Sequence, residues 1–456
     1  GGFKQKFIPI SKKAKEAFPE LEGFKFPGFP DSKRVRASLA YTIGHNTCKR
    51  PQGKGYTKAY EATQPWVSEV TDNITPGELG KLISKAIDKI KPTSTPGFPF
   101  SQRYTTNKEL VNKARGELQD VTLKRLWKLL HTQEIDDDPV FYVKEELHDV
   151  VTPFEKWEPH PERKSKLGKW RIVNCLSVVD QIIERVILGP AIEEVKYRYP
   201  SSGAVIGIGF SDEHSSKFAN EVEKTSAVTG VDGKSTDVAG WERTLDRSYI
   251  QMDAEMIISR LNKPKQHGNL IRVIRLHALM ITNPLFLVPN MTDNVYELVS
   301  RLVPGGMLSG SFLTTLYNTL ARLDVSYLAG SLEAKASGDD CLEWSKYTEE
   351  DMILEYKALG YELRDITPVK EDEFHYCSHT MYRESGGFVS ALDSWPKALY
   401  TALSKPITLE REAGFKYEVR HNENRDVLVK ALSDFGTYAS EGMIVEDGDI
   451  TTKSFN

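Results

Sequence analysis

The chain has 456 residues, 39% of them hydrophobic, enough apolar surface for a large core in two or three domains. No apolar run approaches the roughly 18 residues of a membrane span and no signal segment opens the chain, so it reads as soluble. The four cysteines, Cys48, Cys175, Cys341 and Cys377, form no CxxC pair, which argues against a zinc ribbon or a disulfide framework and fits a reducing compartment.

Along the chain, residues 1–60 carry thirteen Lys/Arg against four Asp/Glu, so the net charge of -4 leaves the remainder strongly acidic. A basic leading segment beside an acidic body can guide a polyanion toward a metal site, and solvated surface charge explains it equally. A start "GGFKQKF" without methionine reads as cleavage from a precursor or as an engineered boundary. Pro/Gly punctuation at "FKFPGFP" (24–30) and "TSTPGFPFS" (93–101) marks an irregular first part. Apolar spacing of three and four predicts helices at Leu110–Leu130, Val179–Tyr197, Arg247–Leu261 and Ser311–Leu328. Short β-rich runs fall at Val140–Val143, Arg171–Asn174, Ala227–Val231, Lys335–Ser337 with Cys341–Trp344, and Phe374–Tyr382. Strands and helices interleave with hairpins, which predicts an α+β class.

Several stretches carry chemistry. "ASGDDCLEW" (336–344) sets Asp339 beside Asp340 between two β-rich runs. Gly-Asp is a common hairpin pair, because glycine accepts positive φ and aspartate bonds its own backbone. Adjacent carboxylates also repel and raise each other's pKa unless a cation lies between them, and oxygen-only ligation suits magnesium. A second acidic stretch, "VDGKSTDVAGWERTLD", fits a strand-terminal acid followed five residues later by another in two registers: Asp232 with Asp237, or Asp237 with Glu242. The second puts a tight glycine, Gly240, and an aromatic prop, Trp241, at the turn; the first has the better apolar run, "AVTGV", before it. Either pair is also readable as a solvated turn.

In "PGGMLSGSFLTTLYNTL", Gly310, Thr314 and Asn318 recur at four and share one small polar helix face, with Ser309 at its mouth. A hydroxyl and an amide there can hydrogen-bond a sugar. "ERKSKLGKWRIV" holds five cations and no acid from Arg163 to Arg171, which suits a triphosphate if the loop folds back. His375, Cys377 and His379 in "FHYCSH" lie at strand spacing and are readable as metal ligands, but a fourth ligand at a familiar spacing is missing.

The ordered set of basic loop, D-x4-[DE], SG-x3-T-x3-N and GDD resembles the palm of a viral RNA-dependent RNA polymerase. More narrowly, "TSTPGFPFS", "KWEPHPERKSKLGKWRIV", "TDVAGWE", "PGGMLSGSFLTTLYNT", "SGDDCLEW", "LGYELRD", "FHYCSH" and "WPKALYTALS" resemble the polymerases of sobemovirus-like and polerovirus-like positive-strand RNA viruses. The resemblance implies a right hand: an N-terminal segment and fingers over 1–178, a palm with an antiparallel sheet over 179–395, and a small helical thumb over 396–456. Fingers segments would be inserted in the palm at about 196–225 and 262–305.

The implied activity is template-directed addition of ribonucleoside triphosphates to RNA 3′ ends. Asp237, Asp339 and Asp340 would hold two magnesium ions, with manganese able to substitute. Lys156, Lys164, Lys169 and Arg171 would neutralise the triphosphate, and Glu242, Ser309, Gly310, Thr314 and Asn318 would surround and read the ribose. Lys370 resembles the lysine that protonates pyrophosphate, with Arg364 as its rival. Expected partners are template RNA, product strand and, in the room left by a small thumb, a genome-linked protein primer; de novo initiation is the alternative. "FHYCSH" would form the hairpin that grips the primer end and "TSTPGFPFS" would turn at the template entrance. Replication in the host cytoplasm, at membrane-associated sites, follows from the same resemblance.

Two departures matter. The second acid of D-x4-[DE] is normally Asp, and here Glu242 is one methylene longer. The lysine of the K-x-E-[LP]-H element is Lys144, in "VKEELH", or Lys156, in "KWEPH". Two other classes are weighed. A reverse transcriptase would want a bulky aromatic five residues after the catalytic aspartate, and both registers place an acid there. A non-catalytic RNA-binding factor with a degenerate palm would lack a metal acid, and none is missing.

Overall fold

The structure is a computed structural model that describes residues 7–27, 32–44, 55–62, 76–198, 201–261, 268–290, 295–312 and 314–440. Helix α1 (Pro76–Lys89) buries Leu79, Ile83, Ala86 and Ile87, the one-sided spacing of an amphipathic helix. It packs on α2 (Asn107–His131), whose N-cap Thr106 accepts from the Glu109 N–H. Strands β1 (Thr152–Glu155) and β2 (Ile172–Cys175) pair antiparallel, and α3 (Val178–Tyr197) follows from its N-cap Ser177 to pack on α1 and α2.

Helix α4 (Asp212–Thr229) leads into β3 (Gly233–Val238), and helices α5 (Arg247–Ser259) and α6 (Gly268–Ile281) pack together after it. The hairpin of β4 (Leu285–Asn290) and β5 (Val295–Ser300) precedes α7 (Thr314–Leu328). Then come β6 (Glu333–Ser337), β7 (Asp340–Trp344), α8 (Glu349–Ala358) and β8 (Leu363–Pro368). Four of these strands form one antiparallel sheet in the order β8-β3-β7-β6.

Alternation along β7 explains how that sheet is sandwiched, since successive side chains point to opposite faces. Leu342 and Trp344 join Phe218 and Val222 of α4 in one apolar cluster. Cys341 faces the main core with Leu316, Leu320 and Leu323 of α7. Downstream, β9 (Glu373–Tyr376), β10 (His379–Glu384) and β11 (Gly387–Leu392) make a separate antiparallel sheet. Helices α9 (Trp395–Leu403), α10 (Leu409–Glu418) and α11 (Arg425–Phe435) then gather around Leu399, Phe415 and Leu428, a cluster that also takes Ala14, Phe18 and Leu21 from the other end of the chain.

The α+β expectation holds, and four local expectations are corrected. Val140–Val143 lies in a short helix, Pro139–Lys144, because Asp138 caps the Val140 N–H and Pro139 occupies the first turn. Ala227–Val231 continues α4 until Gly230 ends it at φ 71°, and the strand begins only at Gly233. Phe374–Tyr382 is two strands broken at Cys377 and Ser378, which adopt φ 50° and 60° as a tight hairpin requires. Ser311 and Phe312 precede α7 instead of opening it. Among the described residues no helix is long and apolar enough to cross a membrane.

Candidate active site

Ser337 pairs with Asp340 across the β6–β7 hairpin, so Gly338 and Asp339 form a two-residue turn, with Gly338 at φ 62°. Thr236 pairs with Cys341 and Gly233 with Trp344. Asp237 therefore ends β3 beside that turn, whereas Asp232 lies off the opposite end of the strand. Crowding by protein pushes the Asp339 carboxyl up, and Asp237 adds to the shift. Asp340 is pushed up to about 6, first by the same desolvation and then by Asp339. Both residues are nonetheless exposed to water, so they do not lie in a sealed interior.

Glu242 is also reached by water and crowded by protein; desolvation raises its carboxyl, Asp339 adds to the rise, and Arg171 opposes it. These acids supply only oxygen, the donor chemistry of magnesium, and their mutual destabilisation is of the kind a divalent cation relieves. Yet among the described residues no three His, Cys, Asp or Glu side chains are gathered closely enough to hold a metal. The Asp237 carboxylate is instead engaged by the Arg364 guanidinium. Metal binding across Asp237 and the 339–340 pair thus competes with Arg364.

The basic loop closes over the acids through one buried carboxylate. Glu158 meets Lys156 at 3.5 Å, Arg171 at 3.1 Å and Lys397, from α9, at 2.9 Å. The Lys156 N–H donates to the Arg171 carbonyl at 2.9 Å, and the Lys169 N–H to the Lys164 carbonyl at 2.9 Å. Desolvation lowers the Lys164 ammonium; Arg364, Arg163 and Arg171 lower it further while Asp237 opposes them. Lys164 therefore lies within electrostatic reach of Asp237. Lys144 ends the short 139–144 helix and is exposed; the structure joins Lys156, not Lys144, to this cluster.

Asn318 is buried on α7 and its Oδ1 accepts from Trp241 Nε1 at 2.9 Å, which ties the end of β3 to that helix. Thr314 turns back to the Leu308 carbonyl at 2.6 Å. Gly310 lies outside the helix at φ 109°, so the expected face of Gly310, Thr314 and Asn318 is corrected: only the last two share it. Ser309 Oγ donates to the Ile172 carbonyl at 3.0 Å, which ties its turn to the strand after the basic loop.

Lys370 requires a second correction. Asp365 pairs with Asp237, but Pro368 pairs with Lys234 and the Val369 N–H donates to the Gly233 carbonyl. Lys370 thus follows the residue opposite Gly233, four strand positions or about 13 Å from Asp237, more than a lysine side chain bridges. Arg364 does stand at Asp237, but a guanidinium in that pairing is raised further and is a poor proton donor. The metal reading of "FHYCSH" is also corrected. His375 faces Thr380 at 2.9 Å, His379 stacks on Phe210 at 3.6 Å, and the Cys377 thiol donates toward Asp340.

A viral RNA-dependent RNA polymerase family profile matches residues 47–394. This chain belongs to that family. Among its relatives, the replicase polyprotein P2AB of Southern bean mosaic virus is 28% identical over 422 residues, 86% of this chain and 41% of that protein. The RNA-directed RNA polymerase of Mushroom bacilliform virus is 28% identical over 289 residues, 60% of this chain and 66% of that protein. Protein P1-P2 of Pea enation mosaic virus-1 is 26% identical over 362 residues, 76% of this chain and 29% of that protein. The chain thus spans less than half of the two longer relatives.

Several residues around the acid turn gave no sequence signal of their own. Buried Glu184 on α3 accepts from Ser311 Oγ at 2.5 Å and from the Phe312 N–H at 3.0 Å, fixing the turn that carries Ser309. Glu158, Lys397 and the buried Arg322 and Glu343 are the others. Charge inside the apolar run "TLARLDVSYL" was the one visible hint.

Proposed function

We propose that this chain adds ribonucleoside triphosphates to an RNA 3′ end under the direction of an RNA template, within a positive-strand virus that replicates in the host cytoplasm at membrane-associated sites. The observation that carries the reading is the position of Asp237 on the strand that pairs beside the Asp339–Asp340 turn, with Arg364 on its carboxylate and the basic loop nearby. The right-hand layout accompanies it: fingers from 1–178 and the inserted segments, a palm around the β8-β3-β7-β6 sheet, and a thumb of α9 to α11.

Asp237, Asp339 and Asp340 are the residues that would hold divalent magnesium, or manganese in its place. Bound there, two such ions would lower the pKa of the primer 3′-hydroxyl and offset charge on the departing pyrophosphate. The protein's own work is positioning and charge. Arg171, Lys164, Lys169 and Lys156 neutralise the triphosphate, and Glu158 ties Lys156 and Arg171 together. Arg364 exchanges its hold on Asp237 for the phosphates. Asn318, kept in place by Trp241, faces the ribose with Thr314, Ser309 and Glu242. Template RNA, product strand and a genome-linked protein primer are the proposed partners.

Primer extension on an RNA template, with ribo- or deoxynucleotides and with or without magnesium, tests the reading. Magnesium-dependent extension with ribonucleotides is expected. Equal use of deoxynucleotides, or no extension by folded protein that binds RNA, would overturn it.

A further inference from the structure

The carboxylates of the acid turn are aimed by groups behind them, and those groups converge on one fully buried cation. Arg322, on α7, is 0% exposed. Its Nε donates to the Asp339 carbonyl at 3.2 Å, and its Nη2 donates to Thr236 Oγ1 at 2.7 Å. Its Nη1 donates to the Tyr356 hydroxyl at 2.8 Å. One guanidinium therefore grips both the residue before Asp237 and the backbone of Asp339. One turn earlier on the same helix, Thr319 Oγ1 accepts the Gly338 N–H at 2.8 Å, holding the turn from its other residue.

The charge is balanced by Glu343, 1% exposed, whose Oε2 lies 3.4 Å from Arg322 Nη2. That carboxylate accepts from Thr236 at 2.5 Å, Tyr356 at 2.6 Å, Ser326 at 3.1 Å and Ser331 at 2.8 Å. A buried ion pair costs more desolvation than a well-packed apolar pair of the same volume, so stability alone does not account for one here. A rigid planar fork that reaches three elements at once does account for it, and a lysine ammonium cannot reproduce that span.

We propose that Arg322 is a positioning residue for the metal site: it fixes the spacing between the strand end that carries Asp237 and the turn that carries Asp339. The proposal rests on the reading of those acids as metal ligands. Because α7 also carries Asn318, the same helix sets the sugar-facing amide and the acid pair in one frame.

The test is manganese binding to the nucleotide-free chain, read by electron paramagnetic resonance, alongside primer extension and RNA affinity. Arg322→Lys keeps the charge opposite Glu343 and loses the fork. It should weaken manganese binding about tenfold or more and lower kcat, with RNA affinity within about twofold, as supporting residues behind metal ligands do. The double variant R322M/E343M removes both charges together. Because Glu343 also accepts from four hydroxyls, the variant should unfold below the wild-type midpoint, and its manganese affinity, read well below that midpoint on folded protein, should stay weak. Thr319→Ala leaves the ion pair intact and should also weaken manganese binding. Wild-type manganese affinity in any of these folded variants overturns the proposal. If the wild-type chain itself neither binds manganese nor extends a primer, the polymerase assignment of the acids fails together with it.

Discussion

Two pairs of acids lie against helix α7, and they differ chiefly in whether water reaches them. Asp339 and Asp340 sit on an exposed turn beside Asp237. Asp253, on α5, and Asp324, on α7, are both 0% exposed. Burial drives the Asp253 carboxyl well above the aspartate range, with Asp324 adding to it, and burial pushes Asp324 up to about 7. Burial and mutual repulsion favour a protonated carboxyl in the sealed pair. The open pair has cations above it and room for more. Close carboxylates alone therefore do not mark a catalytic centre; access and the surrounding positive charge do.

The largest effect expected from breaking this contrast is chemical. Asp339→Ala should cut nucleotide incorporation by about a thousandfold or more while a gel-shift assay finds RNA binding nearly unchanged. Asp324→Asn should leave incorporation within about twofold, and a loss comparable to that of Asp339→Ala would erase the distinction.

The sealed pair should show itself in stability instead. A carboxyl raised in the folded state binds its proton more tightly than in the unfolded chain. Its contribution is whole below the ordinary value of 3.8 and is lost as pH climbs through about 7. Asp324→Asn should therefore flatten the fall in denaturant stability over that window, for a gain on the order of 2 kcal/mol at pH 8. An unchanged slope would mean the pair does not titrate there.

Smaller still is the effect of the cations above the open pair. If Arg171 meets the triphosphate in the ground state, as proposed, Arg171→Ala should raise the nucleotide KM about tenfold with a lesser change in kcat. An unaltered KM would leave Arg171 as a brace for Glu158 only.

The gentlest test is thermal. Asp340 titrates near 6, so magnesium should raise the unfolding midpoint by a few degrees at pH 7.5 and lose that effect as pH falls through 6. A magnesium shift that persists at pH 5 would place the ions elsewhere.

What was readable from sequence divides by range. The GDD hairpin and the glycine at its apex follow from local turn chemistry, and Asp237 followed from the Gly240–Trp241 corner a few residues away. Lys370 was misplaced because its distance from Asp237 is set by the register of β8 on β3, which pairs segments more than a hundred residues apart. The Val140–Val143 run was misread because β-branched residues outweighed the Asp-Pro start that precedes them. No motif or spacing singled out Arg322 or Glu343. Only the tertiary packing that buries α7 on nearly every side reveals them as interior.

The seam between the two extremities of the chain has a practical corollary. Ala14, Phe18 and Leu21 are wedged among Leu399, Phe415 and Leu432, and the Phe18 ring meets both Trp395 and Phe435 edge-on. Trimming the leading two dozen residues would unseat the closing helices and, through Lys397, slacken the hold on Glu158. Anyone shortening this polypeptide for expression would see the damage surface at its opposite terminus.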